Sequence, residues 1–237
     1  MQALNTGSGR IPPSPWELRD PHQVHPGVDL ACVGADLEPV TVLHAYAMGL
    51  FPMQVDTELG EQELGWWCPD PRGILRLEEI IVSRSLRRSM QKFTVTFDQE
   101  FVLVMRACWR AGGEGNWITD EFVQTYSHLH ERGFAHSVEV WNSEGELAGG
   151  LYGIELGGLF AGESMFHVDR DASKVALVTL VEKLGNCVGP RLFDVQWNTD
   201  HLESMGATQI DRGDYLKELA GVLNTQPCFG PGQSDQL

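Results

Sequence analysis

Residues 135–174 read AHSVEVWNSEGELAGGLYGIELGGLFAGESMFHVDRDASK, and the reading of the fold turns on them. Val138, Val140 and Trp141 belong to a strand, and Asn142-Ser143-Glu144-Gly145 turns the chain back. A second strand over 147–156 meets Gly157-Gly158, a pair suited to the positive φ of a tight hairpin. A third, short strand over 159–162 leads into a loop carrying Glu163, Ser164, Met165 and Phe166. Asp171 or Ser173 then caps a helix whose apolar residues Val175, Leu177, Val178, Val181 and Leu184 recur at helical spacing. The stretch is an antiparallel meander feeding a loop and an amphipathic helix. Its glycines (149, 150, 153, 157, 158 and 162) suit either a bare sheet or a ligand held close to backbone.

Upstream, residues 1–10 read as disordered and 11–15 as a proline-rich extended segment. A helix starts at Pro39 and stops at Gly49, and a polar, acidic loop follows over 54–65. Pro69 and Pro71 mark a boundary near residue 70, giving a small N-terminal domain over 1–70 and a larger one over 71–237. In the larger part, Ile74 and Leu75 begin a strand and Ser83 caps the helix SRSLRRSMQK. Phe93, Val95 and Phe97 alternate as a strand, and Asp98 caps a helix ending near Trp109. Thr119 caps another helix, closed by Gly133. Beyond the meander and its helix come a strand over 191–196, a short helix over 200–205, a strand over 208–210 and a helix over 214–223. The tail over 225–237 is polar and reads as loose.

The 237 residues are 42% hydrophobic, enough for an ordinary core. Five scattered cysteines without CxxC spacing argue against both a disulfide framework and a zinc site. No apolar run reaches membrane length, and the opening MQALNTGSGR has no signal-peptide core, so a cytoplasmic protein is expected. The net charge is −16, which disfavours DNA as a partner. The charge is uneven, however. Residues 72–110 hold eight basic residues against four acids, net +4, while the remainder has nine against twenty-nine, net −20. Arg84, Arg87 and Arg88 share one helical face, and Lys92 extends it by a turn. Such a stripe is either a solvated face or a phosphate-binding one.

Two carboxylates stand in apolar surroundings. Asp194 and Gln196 share a strand face between Phe193 and Val195. Glu163 lies among Leu159, Phe160, Met165 and Phe166. Acids in such settings can hold a cation or an amine, or move a proton. Residues 110–115, RAGGEG, match the R-x-x-G-x-G of coenzyme A loops, but no strand precedes them and no helix follows directly. His128, His130 and His136 point in different directions, so no metal site is expected.

The ordered series GADLEPVTVLHAYAMGLFP, WWCPDPR, SRSLRR, NWITDEFVQTYSHLH, GFAHSVEVW, GGLYG, GLFAGESMF, DASKVAL, FDVQ and HLESMGA spans roughly residues 29–220. It resembles leucyl/phenylalanyl-tRNA–protein transferases. The resemblance implies an α+β fold: a small N-terminal α/β domain and a C-terminal domain like the GCN5-related acetyltransferases. It implies transfer of Leu or Phe, less well Met, from aminoacyl-tRNA to the N-terminal Arg or Lys of proteins, for N-end-rule degradation, without cofactor. By motif, Asp194 and Gln196 fall on the catalytic pair, and Glu163 on the acid that helps position substrate. Leu151, Phe160, Met165, Leu177, Leu180, Leu184 and Phe193 fall on the amino-acid pocket, Trp117 on an aromatic touching the terminal adenosine, and the 83–92 helix on the acceptor-stem contact. Tyr46 and Met53 join the substrate-binding set. The family often has Trp at Met53, where it stacks on adenine, and Ser at His167. Two other classes stay open on the residues alone: an acetyl-CoA N-acetyltransferase, on RAGGEG, and a noncatalytic RNA- or peptide-binding module, on the basic stripe.

Overall fold

The computed structural model describes residues 1–56, 62–109 and 118–230. In chain order the strands and α-helices are β1 (Leu4–Thr6), β2 (Gly9–Ile11), β3 (Leu30–Val33), α1 (Pro39–Ala47), β4 (Phe51–Asp56), β5 (Gln62–Trp67), β6 (Arg72–Leu75), α2 (Arg84–Met90), β7 (Thr94–Phe97), α3 (Phe101–Cys108) and α4 (Asp120–Glu131). There follow β8 (Ala135–Trp141), β9 (Leu147–Leu156), β10 (Leu159–His167), α5 (Ala172–Gly185), β11 (Leu192–Gln196), α6 (Asp200–Glu203), β12 (Thr208–Ile210) and α7 (Arg212–Val222). A seven-stranded sheet runs β12-β6-β11-β10-β9-β8-β7, beside a three-stranded sheet β3-β5-β4 and a two-stranded one, β1-β2. In the large sheet β10 and β11 are parallel and the other neighbours antiparallel. The parallel pair needs a crossover, and α5 provides it.

The meander forms as its turns dictate. Asn142 Oδ1 accepts from the backbone N–H of Glu144 and Glu146, and Gly145 takes φ +79°. At the second hairpin Gly157 has φ +61°, and a Cβ there would lie 2.1 Å from the Leu223 carbonyl oxygen, so only glycine fits. Alternation along the strands builds two cores, one on each face of the sheet. Leu151, Phe160 and Phe193 pack on α5 and α2; Tyr152, Ile154, Leu159 and Ala161 pack with residues of α1, α3 and α4.

Several expectations need correction. Residues 1–10 are not disordered: β1 and β2 pair over Leu4–Ile11 and Thr6–Gly9. The acidic 54–65 segment is largely hairpin, since β4 and β5 extend through both ends of it; residues 57–61 lie outside the described residues. Asp98 is not at a helix cap, and Asp171 stands at the N-cap position of α5 but makes no side-chain capping bond. Asp98 (φ +59°) accepts from the Ser137 backbone N–H and bonds His136 Nδ1, whereas Asp171 (φ +72°) accepts from Ser89 Oγ. The third strand does not end at Gly162 but runs to His167 through a bulge between Gly162 and Ser164. Residues 225–230 are held too: Glu155 accepts from the N–H groups of Cys228 and Phe229, and Cys187 and Cys228 form a disulfide. With a sequence separation of 41 between those cysteines, no local spacing announces the pair; the folded-back tail brings them together.

Candidate active site

An apolar cavity of about 350 Å³ opens between the small sheet and the large one. Phe51, Pro52 and Met53 of β4 form one wall. Leu151, Met165, Leu177 and Phe193 form the opposite one. Trp197, Thr199, His201 and Leu202 close an end after β11. Polar groups enter at two strand irregularities. The β10 bulge turns Glu163 out of the ladder, and a register shift between Asp194 and Gln196 leaves Gln196 at φ +64°. Bulges commonly re-aim a side chain beside a site.

Glu163 is buried within a set of neutral donors. Its Oε1 accepts from Tyr46 Oη at 2.6 Å and Gln196 Nε2 at 3.0 Å, and its Oε2 accepts from Tyr126 Oη at 3.4 Å. The two tyrosine hydroxyls stand 2.8 Å apart, so with Tyr46 donating to Glu163 the single Tyr126 hydrogen serves either Tyr46 Oη or, at longer range, Oε2. Burial dominates and pushes the Glu163 carboxyl up to about 8, despite the opposing bond from Tyr46. Tyr152 lines the same cavity, and its buried hydroxyl has no partner among the described residues. Burial, with the nearby Glu163 carboxyl, raises the Tyr46, Tyr126 and Tyr152 hydroxyls well above their ordinary value.

Asp194 sits deeper, fully buried, and does not line the cavity. Arg72 donates to it twice, Nε to Oδ1 at 2.9 Å and Nη2 to Oδ2 at 2.6 Å. Tyr215 Oη adds a bond to Oδ2 at 2.8 Å, and the Gln196 backbone N–H one to Oδ1 at 2.9 Å. Those four donors fill the carboxylate's acceptor positions. Arg72 is itself spanned by the rings of Phe51 and Tyr215 and donates to the Gly49 carbonyl. Asp194 thus fixes the irregular turn that presents Gln196.

The remaining expected residues divide. Leu151, Met165, Leu177, Phe193, Met53, Glu163 and Gln196 meet at the cavity, and Tyr46 reaches it through Glu163. Phe160, Leu180 and Leu184 do not line it; they lie in the core beneath, Phe160 edge-on to Phe193. Arg84, Arg87, Arg88 and Lys92 are exposed on and just beyond α2, whose Ser83 cap receives the Leu86 N–H. Two members of the basic island are not available to phosphate: Arg72 is bound to Asp194, and Arg76 pairs with Glu218 through two 2.7 Å bonds. Trp117 and the 110–115 loop lie outside the described residues. Sequence reading missed Tyr126, Tyr152, Tyr215, Trp197 and His201, and counted Arg72 only as one of the eight basic residues of the 72–110 island. For Tyr152 and Trp197 the available hint was a largely apolar strand around or beside them; Tyr126, Tyr215 and His201 lie in mostly polar helices that carry no such signal. Among the described residues no cluster of His, Cys, Asp and Glu could hold a metal, and no helix is long and apolar enough to cross a membrane.

Known proteins resemble this chain along most of its length. The family model for leucyl/phenylalanyl-tRNA protein transferase matches residues 74–220, and the model for that family's N-terminal domain matches 35–70. The leucyl/phenylalanyl-tRNA–protein transferase of Desulforapulum autotrophicum is 44% identical over 85% of this chain and 88% of its own length. That of Pseudomonas fluorescens (strain Pf0-1) is 45% identical over 93% of this chain and 94% of its own. With both models and relatives this similar across both parts, the chain belongs to the leucyl/phenylalanyl-tRNA–protein transferase family.

Proposed function

We propose that this aminoacyltransferase moves Leu or Phe, and less readily Met, from aminoacyl-tRNA onto the N-terminal Arg or Lys of acceptor proteins. The product would enter N-end-rule degradation in the cytoplasm. The observation that carries the reading is an apolar cavity ending on a buried carboxyl poised near neutral pH. An apolar wall of Leu151, Met165, Leu177 and Phe193 suits Leu, Phe and Met alike, because pockets separate one methylene by only about 1–3 kcal/mol. A charged side chain would lose its hydration there without a partner. The family relationship and the mixed sheet with its parallel β10–β11 pair support an acetyltransferase-like catalytic domain after residue 70, with a small domain before it.

The donor ester is already activated, so the demand falls on the nucleophile. The acceptor's α-amine has a pKa of about 7.7–8.0. Its nitrogen attacks the ester carbonyl carbon, a C–N bond forms and the C–O bond to the ribose breaks. One amine proton must leave, and one must reach the departing ribose oxygen. Glu163, held up to about 8, matches the amine and can take the first proton and return it to the second. Gln196 gives its Nε2–H to Glu163, which leaves its carbonyl oxygen to accept from the amine. The unpartnered Tyr152 hydroxyl is a donor for the oxygen that gains charge in the tetrahedral intermediate. In this scheme Asp194 is a positioning group: it carries Gln196, and its charge is met by Arg72. The exposed Arg84, Arg87 and Arg88 face the acceptor stem. The test is transfer of radiolabelled Leu from Leu-tRNA to a peptide beginning with Arg, against the same peptide beginning with Glu. Labelling of the Arg peptide alone is expected; labelling of neither removes the reading.

A further inference from the structure

A second groove of about 400 Å³ adjoins the aminoacyl cavity, and His201 lines both. Its other lining residues are His167, Val168, Arg170, Asp171, Ser173 and Lys174. We propose that this groove binds a phosphodiester of the donor's single-stranded 3′ end, the one preceding the terminal aminoacylated nucleoside. The inference rests on the aminoacyl-tRNA reading above.

Four observations converge on an anion. First, the chain is strongly acidic overall, yet the groove's rim gathers two permanent cations and two imidazoles against one carboxylate. Second, that carboxylate is engaged: Asp171 accepts from Ser89 Oγ at 2.7 Å and lies 4.0 Å from Arg170 Nε. Third, His201 lines both cavities, and its buried Nε2 has no hydrogen-bond partner among the described residues. The charges of Lys174 and His167 add to burial in holding His201 below its ordinary range, a strain that a bound anion relieves. Fourth, α5 begins at the groove with no side-chain cap, so its first-turn N–H groups and the positive end of a 14-residue helix lie beside Ser173 and Lys174.

The placement also fits the donor. Ser89 belongs to α2, the helix of the basic stripe, and its bond to Asp171 ties that helix to the groove's edge. Phosphates following the stripe therefore arrive at the groove one step before the aminoacyl cavity. His167, Arg170 and Lys174 are all outside the proton-transfer set, so the groove adds affinity and register rather than chemistry.

The test compares leucyl-adenosine, with no phosphate, and the leucyl ester of the dinucleotide CpA, with one, as donors for wild type and for the double variant Arg170→Ala/Lys174→Ala. Arg170 is 93% exposed, so the substitution threatens little packing. The KM for leucyl-CpA should rise about tenfold or more in the double variant, consistent with loss of charge-assisted bonds. The slope of log affinity against log salt should flatten by about 0.7 per lost phosphate contact. Kinetics with leucyl-adenosine should not change. The double Arg170→Lys/Lys174→Arg variant should keep most of the leucyl-CpA affinity. Equal losses with both donors, or no loss with either, overturns the groove. Binding of unacylated CpA against adenosine, by calorimetry, reads the groove even if no transfer occurs, which separates its failure from that of the transferase reading. Inorganic phosphate should compete weakly with CpA; phosphate bound more tightly than CpA marks a free-anion site and overturns the assignment.

Discussion

Two buried carboxylates stand on neighbouring strands and are linked through one residue, Gln196, yet their surroundings are opposite. Asp194 is met by a guanidinium, a phenol and a backbone N–H. Glu163 is met by two phenols and an amide, with no cation bonded to it among the described residues. A buried charge with a paired counter-charge is stable as an ion, and removing one partner exposes the other's desolvation cost. A buried acid with neutral donors alone has no such compensation, and burial raises it to about 8. The same residue class therefore serves once as a fixed anchor and once as a group that can gain and lose a proton in the working range. Position on the strand does not distinguish them; the partner across the core does.

The sharpest way to break this contrast is Glu163→Gln. Loss of a proton acceptor should lower kcat about 10²–10⁴-fold while aminoacyl-tRNA affinity stays nearly intact. Single-turnover transfer, with a separate tRNA binding measurement, checks it. A variant with unchanged kcat would move the proton-transfer role elsewhere, Asp194 included.

Asp194→Asn should act mainly on stability. It leaves the Arg72 guanidinium buried without its counter-charge, a loss of about 3–5 kcal/mol. Urea unfolding would show the midpoint falling. If the variant is as stable as wild type and only turnover suffers, Asp194 belongs to the chemistry and the contrast fails.

Glu163 also links stability to pH. Glu163 binds its proton to higher pH when folded than when unfolded. Stability from its neutral form is complete below the unfolded value of about 4.3 and is lost as pH rises towards and through about 8. Glu163→Gln should be flatter than wild type across that window, gaining relative stability at its alkaline end. Thermal melts from pH 5 to 8.5 compare the slopes.

The smallest effect concerns the cavity's other wall. Met53 lines it but offers no aromatic face, while Trp197 nearby is fixed edge-on to Phe51 and by its indole N–H to Asp29. Base–aromatic stacking is worth about 1–3 kcal/mol, so Met53→Trp should tighten an aminoacyl-adenosine analogue by up to that amount. Weaker binding would instead mean that the nucleoside already occupies the space the larger ring takes.

Much of the architecture was legible because it is local. Pro39 marks a helix start by its fixed φ and missing N–H, Ser83, Thr119 and Gly133 mark helix ends through bonds to residues three positions away, and Asn142 and Gly145 close their turn by themselves. Asp98 and Asp171 misled for the same reason. Both resemble caps, but each finds a better partner on a distant element: Ser137, 39 residues on, and Ser89, 82 residues back. The 54–65 hairpin and the first strands were hidden because polar residues at a sheet edge carry no alternation to read.

By itself the sequence determined the order of the elements beyond residue 70, the two acids and the motifs that place the chain in its family. Periodicity, turn residues and ordered motifs all act over short separations, so they survive without coordinates. Which acid is ion-paired and which is buried among neutral donors was decided only by the tertiary structure. Arg72 lies 122 residues from Asp194, and Tyr46 lies 117 from Glu163. A carboxyl's proton affinity depends on the charges and water removed around it in space, and separation along the chain says nothing about either.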